Sequence, residues 1–243
     1  DIRKISIVHR IGWVPVGEAS IVIAVSAAHR EAAFAACRFV IDQIKELTPI
    51  WKREERGVTS VILAGGRSSR FGSNKAFAPF RGVPMVRRVL DVMQPLFPDL
   101  LLVTNDPEAY ASLWVPKVQD REPHLGPLGG IITAFEKAHH DKIFVVACDM
   151  PLLCRETILK IIDQAGNADA AVATHDGVRE YLLALYSRGV QPVAEQSLRE
   201  GRLSMAEFCG RLANISWVTI GGDSWFNVNT RQDLNFLEAP HAH

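Results

Sequence analysis

The feature that most restricts the fold of this chain is an alternation of short, β-branched apolar runs with longer stretches of helical periodicity. From position 59 onward the strand-like runs are 59–64, 100–104, 143–148, 170–174 and 215–220. Helix-like stretches at 84–93, 128–139, 156–165 and 192–199 separate them, and a short final helix follows Thr230. Residues 182–186 form one more apolar run. Parallel strands need a crossover of a dozen or more residues, which a helix supplies, so the pattern predicts an α/β fold. The expected architecture is a Rossmann-like, mostly parallel sheet with helices on both faces, preceded by a small α+β segment. Ligands of such sheets bind beyond the carboxyl ends of the strands, and functional residues are sought there.

The charge run Lys52-Arg53-Glu54-Glu55-Arg56-Gly57 marks the boundary between a segment 1–57 and a domain 58–243. The first segment reads as a strand at 4–9, a strand at 21–26 and a helix at 30–47 that Pro49 ends. Phe34, Cys37, Ile41 and Ile44 recur at helical spacing and define its expected apolar face.

Lys plus Arg and Asp plus Glu both number 27, so no global positive field gathers nucleic acid or an anionic membrane, and any anion must be held locally. The longest apolar runs are too short to cross a bilayer. The four cysteines form neither a C-x-x-C pair nor a zinc-ligand spacing, which points to a reducing, cytoplasmic setting. The residues after Asp1 lack the plan of an export signal, and the start is read as a truncation. Oligomeric state is not legible.

Residues 63–75, Leu-Ala-Gly-Gly-Arg-Ser-Ser-Arg-Phe-Gly-Ser-Asn-Lys, follow directly on the first strand of the second portion. Gly65 and Gly66 let backbone amides approach phosphate oxygens, and Arg67, Arg70 and Lys75 add positive charge. The pattern matches neither a Walker A loop nor the dinucleotide fingerprint. A tight surface turn is the plain alternative, but the cations favour a triphosphate cradle. Asp149 follows the apolar strand 143–148, where its carboxylate either caps a turn or supplies the hard oxygen that Mg²⁺ takes while bridging to phosphates. Asp120 precedes the Gly-Pro-Leu-Gly-Gly turn at 126–130 and is a second candidate, as a ligand orienter or nucleotide contact.

Five blocks occur in order: Leu-Ala-Gly-Gly-Arg-x-x-Arg-Phe-Gly-x-x-Lys at 63–75, Asp120, Gly-Pro-Leu-Gly-Gly-Ile at 126–131, Ala-Cys-Asp-Met-Pro at 147–151 and Phe-Asn-Val-Asn-Thr at 226–230. Together they resemble the molybdenum cofactor guanylyltransferases over residues 58–237. The resemblance implies that Leu63, Ala64, Gly65, Gly66 and Lys75 hold GTP and that Asn105 and Asp120 contact the nucleotide. It further implies that Asp149 binds Mg²⁺ and touches the nucleotide, and that Lys75, Asp149 and Arg70 are the catalytic set. Asn227 and Asn229 match a block on the pterin side; their amides suit hydrogen bonds to a ring or phosphate, and they suit equally well a cap on the final helix with Thr230. Phe71 and Asn74 stand where the family has Met and Asp, and the family's Pro-Leu before Ala-Leu-Tyr is replaced within Tyr181-Leu182-Leu183. The implied partners are GTP, molybdopterin or its molybdenum form, and other proteins of that biosynthesis. A cytidylyl or sugar-nucleotide transferase, or a nucleotide-binding scaffold without turnover, are the rival readings.

Ile7 to Gly12, Val16-Gly17-Glu18, His29-Arg30-x-x-Ala33-Phe34, Ile44-Lys45 and Pro49 to Glu54 resemble the later half of the large subunit of molybdopterin synthase. That likeness implies Lys45 and Lys52 as synthase-type lysines, with Arg10, His29 and Arg30 as cations for a pterin phosphate. The expectation is a remnant without sulfur transfer of its own.

Overall fold

The structure is a computed structural model, and it describes residues 2–9, 19–47, 57–65, 71, 74–120 and 125–238, the side chains of 45–47 excepted. The chain forms two units, Asp1–Glu54 and Glu55–His243.

In the first unit β1 (Ile2–His9) pairs antiparallel with β2 (Ile21–Ala27), and α1 (Arg30–Leu47) packs along β2. Alternate residues of β2, Ile21, Ile23 and Val25, are half-buried, as a strand covered on one side requires. The half-buried stripe of α1 runs through Ala33, Ala36, Cys37, Val40, Ile41 and Ile44. Phe34 departs from the expected face: it lies at the edge of that stripe and is 74% exposed.

The second unit is built on a seven-stranded sheet. Its strands are β3 (Val58–Leu63), β6 (Leu100–Thr104), β7 (Lys117–Gln119), β8 (Lys142–Ala147), β9 (Ala170–His175), β10 (Val178–Ser187) and β11 (Ile215–Thr219), in the order β11-β9-β10-β8-β3-β6-β7. A small hairpin of β4 (Pro79–Phe80) and β5 (Val83–Pro84) stands apart from it. All sheet pairings are parallel except those of β10, which runs antiparallel to both β8 and β9. The cause is local. Asp176 and Gly177 both have positive φ, 46° and 80°, the conformation a two-residue hairpin needs to send the chain straight back.

Successive strand residues point to opposite faces, and both faces are apolar. Ile62, Leu102, Phe144, Val146 and Leu185 pack under α2 (Met85–Met93) and α4 (Arg155–Ala165). Val61, Val103, Val145, Val172 and Tyr186 pack under α3 (Gly126–Lys137), α5 (Gln191–Arg199) and α6 (Met205–Cys209). Each such fully buried large side chain contributes about 1.5–3 kcal/mol, which fixes the register of the strands and hence the positions of the loops at their ends. A third cluster, Phe71, Ala78, Phe80, Met85, Val228 and Leu237, ties the start of α2 to the segment before α7 (Arg231–Glu238). Phe71 is thus a core residue, which accounts for an aromatic at that position. Among the described residues no helix is long and apolar enough to cross a membrane.

The chain leaves β3 towards β6 and β7 and then crosses back over β3 to β8 on its other side. This reversal opens a crevice at the carboxyl ends of β3, β6, β7 and β8, the position at which doubly wound sheets bind ligands.

Candidate active site

Each of these four strands delivers a candidate residue within two positions of its end: Ala64 and Gly65 with their backbone groups after β3, and the polar Asn105 after β6, Asp120 after β7 and Asp149 after β8. With neighbouring strands about 4.8 Å apart, the row from Asp149 to Asp120 extends roughly 14 Å, a span suited to a nucleoside with a chain of phosphates.

At one end of the row, Gly65 lies against Asp120 and Asn105. A Cβ on Gly65 would sit 3.5 Å from Asp120 Oδ2 and 3.6 Å from Asn105 Nδ2. Gly130, in the first turns of α3, closes the other side, where a Cβ would come within 3.0 Å of the Leu63 side chain and 3.6 Å of Asp120 Oδ1. Buried atoms Asn105 Oδ1 and Asp120 Oδ1 have no hydrogen-bond partner. Burial raises the pKa of the Asp120 carboxyl above its ordinary value, a hydrogen bond with Thr133 opposing the shift. Groups left this way suit hydrogen bonds to a bound molecule.

At the other end, Lys75 Nζ donates to Asp149 Oδ2 and also to Asn229 Oδ1, the latter at 3.2 Å. Asp149 is only 5% exposed, and its second oxygen, Oδ1, is buried without a hydrogen-bond partner. Its backbone oxygen accepts from Val228 N at 2.9 Å, which brings the 226–230 segment against the end of β8. Neighbouring Cys148 is fully buried and its thiol is pushed up to about 12, mainly by burial and next by the Asp149 charge. It is a packing residue and no nucleophile.

Lys75 opens a short 3-10 turn, Lys75–Phe77, that Asn74 caps by accepting from Ala76 N at 3.1 Å. The Asn74 amide also donates to the hydroxyl of Tyr110 at 3.2 Å, and that hydroxyl donates to Ala64 O at 3.2 Å. Tyr110 is buried, which together with the nearby Cys148 raises its pKa. The neutral Asn74, standing where the family has a carboxylate, therefore orients the turn by hydrogen bonding, and the ion pair of Lys75 falls to Asp149.

The structure brings together Gly65, Asn105 and Asp120, and separately Lys75, Asp149 and Asn229. Gly66 and Arg70 lie outside the described residues, as do Arg10 and Lys52 and the side chain of Lys45. His29 and Arg30 are exposed at the start of α1, and the His29 backbone oxygen accepts from Ala33 N at 3.3 Å. The two asparagines part ways. Asn229 turns its side chain to Lys75, while Asn227 Nδ2 donates to Glu180 Oε2 at 3.0 Å. Neither side chain caps α7: Asp233 Oδ2 accepts from the backbone N of Asn229 and Thr230, and Thr230 Oγ1 accepts from Asp233 N. The bonds from Asn74 to Tyr110 and from Asn227 to Glu180 join residues 36 and 47 positions apart in the chain, so neither carries a local sequence signal.

A family model described as MobA-like NTP transferase domain matches residues 60–213. The chain belongs to the MobA-like NTP transferases. A second model, MoaE protein, matches residues 1–47. Over 194 residues the chain is 34% identical to a Bacillus subtilis protein named "Probable molybdenum cofactor guanylyltransferase", covering 74% of this chain and 94% of that one. Over 191 residues it is 33% identical to the molybdenum cofactor guanylyltransferase of Desulfosudis oleivorans, covering 75% of this chain and 95% of its relative. The crystal structure of molybdopterin-guanine dinucleotide biosynthesis protein A from Archaeoglobus fulgidus superposes with a TM-score of 0.65 at 24% identity, over 74% of this chain and 96% of the other. That last likeness establishes the α/β fold shared across these transferases.

Proposed function

We propose that this MobA-like transferase moves GMP from GTP to the terminal phosphate of molybdopterin, or of its molybdenum form, and releases pyrophosphate. The single observation that carries the reading is the pairing of Lys75 with the buried Asp149 at the switch point, with one carboxylate oxygen of Asp149 left unpaired.

An acceptor phosphate oxygen attacks the α-phosphorus of GTP. A new P–O bond forms there, and the bond from the α-phosphorus to the bridging oxygen breaks, with its electrons leaving on pyrophosphate. A phosphate is already ionised at neutral pH, so no general base and no covalent enzyme intermediate are needed. Lys75 places an ammonium where negative charge gathers on the transferring group, and Asn229 and Asp149 hold that ammonium in position. Gly65, Asn105 and Asp120 hold the nucleoside half, and alignment supplies much of the acceleration. Arg70 adds charge from the loop, with Leu63, Ala64 and Gly66 alongside as nucleotide-holding backbone.

The family's use of a divalent metal fits these residues, since Asp149 Oδ1 is a hard oxygen with no other partner. When bound there Mg²⁺ would offset charge on the phosphates, with Asp149 its protein ligand. Among the described residues no group of three or more His, Cys, Asp or Glu is placed to hold a metal.

The transfer is assigned to residues 58–243. The first 57 residues, with Arg10, His29, Arg30, Lys45 and Lys52 as their synthase-like cations, are assigned to the molybdopterin-synthase type, which the MoaE match over residues 1–47 supports. Asp149→Ala tests the reading: guanylyl transfer should fall at least 100-fold while the circular dichroism spectrum is retained. Unchanged turnover would remove Asp149 from the chemistry. A chain of residues 58–243 should keep the transfer within a few-fold of the full chain, and its loss in a folded product would move part of the site into the first segment.

A further inference from the structure

A second polar cluster stands beside the phosphate end of the site and takes no part in the chemistry above. Glu180, on β10, accepts from Asn227 Nδ2 through Oε2 and lies 3.2 Å from His175 Nε2 through Oε1. His175, the last residue of β9, is 7% exposed and stacks on Trp225, with ring centroids 3.5 Å apart and planes at 13°. Its other nitrogen, Nδ1, is buried and has no hydrogen-bond partner. A carboxylate only accepts, so Glu180 places the imidazole proton on Nε2, and in the neutral ring Nδ1 is an unfilled acceptor. A histidine that merely fills a core is expected to satisfy both nitrogens. Trp225 is half-buried, and its indole N–H is tied to Gly222 O at 2.8 Å, which fixes the ring plane.

The cluster is also in the right place. Because β10 runs antiparallel to β8, Glu180 lies beyond the carboxyl end of β8, on the side of Asp149. The bond from Val228 N to Asp149 O falls between Asn227, which bonds Glu180, and Asn229, which bonds Lys75. Two residues of chain span at most about 7 Å. One short segment thus contacts both the Lys75–Asp149 pair and the cluster of Glu180 and His175.

We propose that His175, Glu180 and Trp225 form the recognition site for the acceptor's ring system. Its ligand is a planar, nitrogen-rich heterocycle that lies edge to edge with His175, on the same side of the Trp225 indole, and presents an N–H or NH₂ donor to His175 Nδ1. Glu180 is a positioning residue that sets the tautomer of His175 and the amide orientation of Asn227. The proposal rests on the guanylyl-transfer reading for the identity of the acceptor.

The test uses the purified full chain and two readouts. In steady-state assays, Glu180→Gln, His175→Leu and Trp225→Leu should each raise KM for molybdopterin at least 10-fold while KM for GTP stays within twofold. Trp225→Phe, which keeps an aromatic face, should recover most of the loss seen with Trp225→Leu. Independently, titration with a pterin bearing a phosphomonoester, without GTP, should quench tryptophan fluorescence in the wild type and not in Trp225→Phe. KM for both substrates rising together, or neither moving, would overturn the assignment, as would absence of quenching in the wild type. Should the wild type form no dinucleotide, the guanylyl-transfer reading fails, and the pterin titration alone decides the ring site: quenching lost in Trp225→Phe upholds it, and no quenching overturns it.

Discussion

Tyr110 joins the end of β3 to the turn that carries Lys75, and removing its hydroxyl isolates that link. In Tyr110→Phe two hydrogen bonds vanish, one to Ala64 O and one from Asn74 Nδ2. Ala64 O keeps a bond from Thr104 Oγ1 at 3.3 Å, so the uncompensated loss falls on the Asn74 amide. At about 1 kcal/mol net for each bond, the variant should lose about 2 kcal/mol of stability. For a chain of this size that corresponds to a Tm lowered by roughly 4–8 °C. Asn74→Ala removes the cap on Ala76 N as well as the bond to Tyr110, and should cost about 1–2 kcal/mol alone. Because the Tyr110–Asn74 bond would be counted in both single variants, the double variant should lose about 1 kcal/mol less than their sum. Denaturant unfolding of the four proteins measures the cycle, and KM for GTP, expected to rise several-fold in both single variants, reports whether the turn places Lys75. Additive losses together with an unchanged KM for GTP would refute the idea that Tyr110 positions the phosphate-binding turn.

Two other side chains test the electrostatics of the crevice. Burial raises the Asp120 pKa in the folded state, so between the unfolded and folded pKa values the native protein binds more protons, and stability falls as pH rises through that window. Asp120→Asn should abolish that fall, giving a higher Tm than wild type at neutral pH together with weaker GTP binding; a lower neutral Tm contradicts the burial argument. Lys75→Met leaves the buried Asp149 carboxylate without its cation and should cost on the order of 3 kcal/mol. Adding Asp149→Asn should restore much of that stability without restoring turnover, and no recovery in the double variant would mean that the pair is not coupled.

How much of this molecule could be read from its sequence depends on whether the signal is local. The runs that became β3, β6, β8 and β9 are buried almost throughout because both sheet faces are covered, and such strands announce themselves. Placing Gly65 and Asp149 at strand ends followed from those runs alone. Direction was less legible: the run 182–186 gave no hint that β10 would be inserted antiparallel between β8 and β9, because periodicity reports burial and not neighbours. The three-residue β7 and the five-residue α6 are too short for a period to show. Phe34 matched the helical spacing of α1 and yet is exposed, since the stripe centres on the smaller residues Ala33, Ala36 and Cys37. Within the site, the contacts of Asn74 with Tyr110 and of Asn227 with Glu180 join residues far apart in the chain, and only the fold brings them together. The choice between capping and ligand contact for Asn227 and Asn229 was likewise a question of where each amide points.

The central claim is that the crevice between Asp149 and Asp120 grips a nucleoside triphosphate and aligns its α-phosphorus with an acceptor phosphate. The most direct measurement incubates the full chain with molybdopterin, Mg²⁺ and each nucleoside triphosphate in turn, following pyrophosphate release and the dinucleotide product by mass. The account predicts release that depends on both acceptor and metal, with GTP strongly preferred and a guanine dinucleotide formed in equal amount. Preferred use of CTP, or GTP binding without any acceptor-dependent pyrophosphate, would contradict it.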